Sequence, residues 1–304
     1  MLLSICIPVY NTDIRPLAIE LHRQSQSFSS EVELLFIDDA SDFTFKEKNR
    51  SVGTFCDYQE LPQNIGRSKI RNAFLPFVKG KYILFLDGDS VVFRDDFIEK
   101  YLVFLKENKP NLIVGGREEV SERPARNYLL RWRYSQSRES KSLEERQKDT
   151  KSGFKSNNFI VKKTIFESNP FDESLHHYGH EDTLFGYQLR KKGVQCLHID
   201  NPILNSDLVE NEAFLHKTKE AISNLVRIAI KLNDHQFIEE QKLLSWEKRI
   251  SRNKIFQKTF QLFGKITQPL ITSLLRKGYF QLWMFDLYRL TELERLIDQN
   301  VIDE

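Results

Sequence analysis

The chain has 304 residues, 40% hydrophobic and 29% charged, with a formal net charge of +2. That composition belongs to a soluble globular protein large enough for one domain plus an appendage. The near-neutral balance excludes a whole-chain polyanion binder, so no nucleic-acid partner is expected, and three scattered cysteines (Cys6, Cys56, Cys196) exclude a disulfide framework.

Residues 2–7 read as a buried strand stopped by Pro8. The N-terminus has neither a basic n-region nor a long apolar run, and no stretch approaches the ~18–20 apolar residues of a membrane span. Together with the sparse cysteines, this predicts a cytoplasmic protein. Ile14 to Gln26 show helical spacing, with Pro16 in the first turn where proline is tolerated. Glu31 to Ile37 form a second strand, and Thr54 to Glu60 a short third. Ser68 to Val78 suit a helix, Lys81 to Leu86 a strand, Phe97 to Lys106 a helix and Leu112 to Val114 a strand.

This alternation predicts a doubly wound α/β sheet, in which ligands bind beyond the carboxyl ends of the strands. Polar residues follow three of the strands: Tyr10-Asn11, Asp38-Asp39 and Asp87-Gly88-Asp89. They are expected to converge on one crevice. Two carboxylates two residues apart at the end of a buried strand suit Mg²⁺ or Mn²⁺, which take oxygen ligands and bridge carboxylates to phosphates. Asp-Gly is also ordinary turn chemistry, so the pair alone leaves both readings open.

Residues 117–156 are polar and rich in both charges, a solvated helical excursion or a mobile segment that contacts an anionic ligand. A strand follows at Asn158 to Val161, then a loop at Glu167 to Gly179, a helix from Glu181 to Lys192 stopped by Gly193, and a strand from Gln195 to Ile199. From Leu208 onward the chain reads as helical. Residues 241–280 carry nine basic residues against Glu247 alone, a net of +8, with apolar residues interleaved at helical spacing. Such a stretch can lie on an anionic membrane surface, or it can pack on the α/β domain or on another subunit of a homodimer.

Five motifs stand in order: Ser4 to Asn11, Phe36 to Ser41, Asn64 to Asn72, Leu86-Asp87-Gly88-Asp89, and Gly179-His180-Glu181-Asp182 to Gly186. The set resembles glycosyltransferase family 2 over roughly residues 2–230. The resemblance implies the GT-A fold, a Rossmann-like doubly wound mixed sheet. It predicts a glycosyltransferase domain over 1–230, with 117–156 as a polar insertion, and a basic amphipathic helical appendage over 231–304.

The resemblance also implies roles. Pro8, Tyr10 and Asn11 would line the nucleotide base. Asp39, with Asp38 beside it, would accept from the uracil edge. Asn64, Gly66, Arg67 and Arg71 would pack by the nucleotide, with a guanidinium steadying the diphosphate. Asp87 and Asp89 would hold Mn²⁺ or Mg²⁺, Asp89 more directly, with Gly88 between them. Asp182 would be the base that deprotonates the acceptor hydroxyl, and Glu181 would orient it. His177 and His180, flanking the acidic pair, are expected to be structural or acceptor contacts.

Relatives often carry a metal-binding histidine where this chain has Asn205, whose amide oxygen is a different third ligand. His198 and His216 are nearby alternatives, the first expected in the core and the second exposed on a helix. The implied activity is metal-dependent inverting transfer of a sugar, hexosyl or N-acetylhexosaminyl, from a UDP-sugar to a glycan or lipid-linked acceptor in surface polysaccharide synthesis. The alternatives are a non-catalytic scaffold subunit of the same fold, favoured by Asn205, and a sugar nucleotidyltransferase. The second is disfavoured because Pro8-Val9-Tyr10-Asn11 is not a Gly-rich first loop. No Gly-x-Gly-x-x-Gly follows the first strand either, which disfavours a dinucleotide-dependent oxidoreductase.

Overall fold

The computed structural model describes residues 1–149, 154–175, 178–205 and 208–298. In chain order the first elements are β1 (Leu3–Val9), α1 (Arg15–Ser25), β2 (Val32–Asp38), α2 (Phe43–Asn49), β3 (Asp57–Glu60), α3 (Gly66–Ala73), β4 (Tyr82–Leu86), β5 (Ser90–Val91), α4 (Phe97–Asn108), β6 (Leu112–Val114) and β7 (Arg117–Glu119). There follow α5 (Leu129–Tyr134), α6 (Leu143–Lys148), β8 (Asn158–Lys162), α7 (Lys163–Ser168), α8 (Glu181–Lys191), β9 (Cys196–His198) and β10 (Ile203–Asn205). The chain then continues as α9 (Asn211–Leu232), α10 (His235–Glu240), α11 (Lys242–Ser251), α12 (Lys254–Arg276) and α13 (Leu282–Asp298).

The chain divides into two compact units. The first comprises residues 1–120, 140–176 and 181–207, and the second 121–139, 177–180 and 208–304. The main segment of the second unit begins at Leu208. The reason lies in α9, whose apolar face (Phe214, Leu215) joins the helical core with Ile271, Leu275 and Phe285.

In the first unit a seven-stranded sheet has the order β3-β2-β1-β4-β8-β6-β9. All pairings are parallel except those of β8, which runs antiparallel between β4 and β6. Successive residues of a strand face opposite sides, and the sequence uses both. Ile5, Ile7, Leu84 and Leu86 pack with α1 and α4 through Leu17, Leu21, Phe97 and Tyr101. Cys6, Leu35, Ile83 and Phe85 face the other way, onto Ile70, Phe74, Phe166 and Phe185. Burial on both faces explains why these strands read as continuous apolar runs.

Among the element boundaries that differ from expectation, two have a direct physical cause in proline. Pro8 does not stop β1 but lies within it, opposite Ile37 of β2. Pairing with β4 ends at Cys6, so a residue at position 8 has to bond on one side only and a missing N–H is tolerated. The third helix ends at Ala73 rather than Val78, because the ring of Pro76 would meet the carbonyl of residue 72 in a continuing helix. A second sheet in the same unit, β5-β10-β7, is built from segments too short to show a period.

Candidate active site

Three parallel strands deliver their carboxyl ends to one edge of the sheet: β1 with Tyr10, β2 with Asp38 and Asp39, and β4 with Asp87. The Tyr10 ring is 54% exposed at the end of its strand, an open aromatic face. Asn11 adopts φ 50°, a left-handed conformation that asparagine tolerates. Its N–H donates to Ser41 Oγ at 2.8 Å and its Oδ1 accepts from the Asp42 N–H at 2.7 Å, which ties the loop after β1 to the loop after β2.

Asp38 is the last residue of β2. It is fully buried, with Oδ1 accepting from the Ser41 N–H at 2.6 Å and Oδ2 from the Tyr58 hydroxyl at 3.0 Å. It shapes the loop after β2. Asp39 is only 4% exposed. Its carboxylate accepts from the N–H groups of Ile65 at 2.7 Å and Gly66 at 3.0 Å, while Asn64 Nδ2 donates to the Asp39 carbonyl at 3.1 Å. Gly66, at φ 83°, permits the turn that aims both N–H groups at one carboxylate. Burial raises the Asp39 carboxyl above its ordinary pKa, and these two N–H donors offset part of that rise. Asp39 thus fixes the start of α3, and a base edge would have to share its oxygens with two backbone donors.

Arg71 lies near the end of α3. Its side chain is 2% exposed. It donates to Asp87 Oδ1 at 3.0 Å and to the Arg67 carbonyl at 3.1 Å, with Ser156 Oγ at 3.4 Å. Its other terminal nitrogen lies 3.7 Å from Glu181 Oε1, and the guanidinium sits 5.4 Å from the Phe171 ring centroid. A buried guanidinium therefore joins the Asp87 and Glu181 carboxylates. Arg67, half exposed, lies 3.7 Å from the same Glu181 oxygen and remains at the crevice.

The Asp87 carboxyl keeps 30% of its surface in solvent. Its N–H donates to the Asn157 carbonyl at 3.2 Å, and its carbonyl accepts from Ser90 N–H at 3.1 Å, closing the turn that holds Asp89. Gly88 allows close approach to β1, since a Cβ there would meet the Pro8 carbonyl at 3.2 Å. Asn205 lies in β10 opposite Ser90, one residue past Asp89, and on its other side opposite Glu119. Its amide donates to Glu119 Oε1 at 3.5 Å.

The donor set suits a hard divalent cation bound by one or two carboxylates and completed by substrate phosphates. Ser90 Oγ and Asn157 Nδ2, from residues bonded to the turn, are buried without a hydrogen-bond partner among the described residues. No group of three or more His, Cys, Asp or Glu positioned for a metal occurs among the described residues. His198 is half-buried in β9 beside Arg146, and desolvation brings it down to about 4. His216 is exposed on α9, 3.7 Å from Glu220.

Glu181 and Asp182 open α8, where carboxylates favour the helix dipole. Glu181 is buried, while Asp182 is half-buried with Oδ2 3.5 Å from Lys155 Nζ. Asp182 Oδ1 accepts from the Thr183 N–H at 2.6 Å and its hydroxyl at 3.2 Å. Of the two flanking histidines, His180 takes φ 65° and His177 lies outside the described residues. Lys155, Ser156 and Glu119 are residues that motif reading did not single out. All three fall in the charged 117–156 segment, whose polarity was the only signal they gave.

The sheet order, with acidic residues at its carboxyl edge, defines a doubly wound α/β protein of the kind whose ligands bind beyond the strand ends. The model of the family described as Glycosyl transferase family 2 matches residues 4–168, more than half of the chain. The chain belongs to glycosyltransferase family 2. Among curated proteins, an uncharacterized glycosyltransferase of Haemophilus influenzae is 34% identical over 114 residues, 35% of this chain and 43% of that protein. The aligned region thus spans less than half the length of that relative. Among solved structures, S. aureus TarS 1–349 aligns with a TM-score of 0.52 at 17% identity, covering 99% of this chain and 92% of that one. The mannosyltransferase PcManGT from Pyrobaculum calidifontis, in complex with GDP-Man and Mn²⁺, aligns with a TM-score of 0.58 at 10% identity, covering 99% and 88%. These likenesses establish the GT-A-type mixed α/β fold.

Proposed function

We infer that this chain is a metal-dependent inverting glycosyltransferase that takes its sugar from a UDP-sugar. The observation that carries the reading is the cluster of Asp87 and Glu181 on one buried guanidinium, with Asp89 two residues beyond the first and Asp182 next to the second. One carboxylate pair suits a cation that neutralises a departing nucleoside diphosphate, and the other suits work on an acceptor hydroxyl. The structural neighbour PcManGT, with GDP-Man and Mn²⁺, supports the same pairing of nucleotide sugar and divalent metal.

Asp89 and Asp87 would hold Mn²⁺ or Mg²⁺, with the Asn205 amide oxygen as a third ligand, and the charge neutralisation such a cation would supply is that needed by a departing diphosphate. Asp182 takes the proton of the acceptor hydroxyl as its oxygen bonds to the anomeric carbon. The bond from that carbon to the phosphate oxygen breaks on the opposite face, which inverts the centre. Glu181, held by Arg67 and Arg71, orients the helix start that carries Asp182. Tyr10, with Pro8 and Asn11, forms the base-stacking wall, and Asp39 with Asn64 and Gly66 sets its far side. The acceptor is a glycan or lipid-linked glycan of a surface polysaccharide, met at the cytoplasmic face of a membrane.

A screen of UDP- and GDP-sugars for hydrolysis with Mn²⁺ and with Mg²⁺ tests this reading. Metal-stimulated release of UDP from one sugar donor is the expected result. Binding of UDP with no turnover of any donor would instead favour the scaffold-subunit reading.

A further inference from the structure

The longest helix among the described residues, α12, is 23 residues long, about 35 Å at 1.5 Å per residue. One side of it packs within its own unit. Gly264 admits Thr291 of α13, Ile271 and Leu275 are buried, and Gln268 donates to Glu292 at 2.6 Å. The opposite side carries Ile255, Phe256, Leu262, Phe263, Ile266 and Leu270, all at least 47% exposed, with Ile255 reaching 79%. Their spacing places them on one continuous stripe of the helix. Six large apolar side chains in a row in water are not the scattered exposure of an ordinary surface.

The charge around this stripe is of one sign. Lys254, Lys258 and Lys265 run along its flank, and Lys254–Arg276 contains no acidic residue. Lys265 has Asp298 3.9 Å away, a pair of exposed groups of little energetic weight. Residues 241–280 carry +8 while the whole chain carries +2, so the rest of the chain is at −6 and the positive charge is concentrated at this helix and its neighbours. No helix among the described residues is long and apolar enough to cross a membrane.

We propose that α12 lies in the plane of an anionic lipid surface, with the Ile255–Leu270 stripe in the acyl boundary and its lysines at the headgroups. A half-apolar, half-basic helix is the form that binds such an interface, where apolar burial and attraction to anionic lipid add. A second copy of the chain is the poorer occupant. Pairing two α12 stripes would bring lysine flank to lysine flank with no acid on either helix to answer them. This sharpens the membrane placement proposed above and rests on that part alone, independent of sugar transfer.

The test is co-sedimentation of the full chain with vesicles of 30% phosphatidylglycerol in phosphatidylcholine, against phosphatidylcholine alone. The expected result is at least tenfold more protein on the anionic vesicles, falling severalfold in 0.5 M NaCl. The double variant Phe263→Asp/Ile266→Asp and the triple variant Lys254→Gln/Lys258→Gln/Lys265→Gln should each lose about tenfold. Both keep the buried side of α12 intact, and unchanged circular-dichroism melts would establish that they fold. Equal partition onto both vesicle types, or no binding to either, would overturn the proposal. So would a dimer that Phe263→Asp/Ile266→Asp converts to monomer while vesicle binding persists. Metal-stimulated UDP release separates this result from the transfer reading, since a chain that binds vesicles without turnover fails only the latter.

Discussion

The Arg71 guanidinium donates to Asp87 Oδ1 at 3.0 Å from a side chain only 2% exposed. A buried cation holding a half-open carboxylate is costly to break from one side, because the remaining charges lose their partner. Arg71→Met keeps much of the volume but leaves Asp87 and Glu181 without the cation between them. It should lower stability by about 3 kcal/mol, read as a drop in Tm. It should also raise the concentration of Mn²⁺ and UDP needed for a thermal shift, because Asp87 loses its fixed position. Arg71→Lys should restore part of the Tm. Wild-type stability in Arg71→Met would remove the pair from this role.

The same arginine shows what sequence reading captures and what it misses. The alternation of strand and helix, the doubly wound sheet and the acidic strand ends were legible, because each depends on local pattern. That Arg71 shares a helix face with Arg67 was legible too, since four residues make about one turn. That Arg71 points inward to Asp87, while Arg67 stays half exposed, depends on Phe171 and Ser156 closing over it from nearly a hundred residues away. Asp38 and Asp39 differ in the same way. Adjacent acids look alike in sequence, but only the fold assigns the first to Ser41 and Tyr58 and the second to α3. The strands β5, β7 and β10, of two or three residues each, are too short to carry a period, so the placement of Asn205 opposite Ser90 could not be read in advance.

Asp89 offers a direct test of the cation site. A ligand at a hundredfold its Kd stabilises the protein that binds it by about 2.7 kcal/mol. UDP with Mn²⁺ should therefore raise the wild-type Tm measurably, and Asp89→Ala should abolish the Mn²⁺-dependent part. An unchanged shift in the variant would exclude Asp89 as a ligand.

Asp182 is the less buried member of the second acidic pair, and the base role is its alone in this reading. Asp182→Asn retains an oxygen for the Thr183 N–H and the helix start, but it cannot take a proton. Transfer should fall by ~10²-fold or more, with the UDP and Mn²⁺ thermal shift intact. Glu181→Gln should behave differently. It weakens the contacts of Arg67 and Arg71 at 3.7 Å, so stability should fall along with activity. Near-wild-type transfer by Asp182→Asn would move the base elsewhere.

His198 supplies a pH dependence that lies outside the chemistry. Arg146 plugs the strand ends by donating to the carbonyls of Val114 at 3.1 Å, Gly115 at 3.2 Å and Ile199 at 2.9 Å, and its Nη1 sits 3.4 Å from His198 Nδ1. Desolvation first, then this neighbouring cation, bring His198 from 6.5 down to about 4. The folded state therefore holds fewer protons than the unfolded one between those values, so stability rises with pH across that window. The contribution is complete above pH 6.5 and is lost as pH falls toward 4. It should amount to roughly 1–3 kcal/mol after solvent screening. His198→Gln keeps a polar group of similar reach but does not titrate. Its Tm should decline less steeply than wild type from pH 6.5 to 4, and the two curves should run parallel above pH 7. Parallel curves throughout would mean that His198 takes up its proton without cost to the fold.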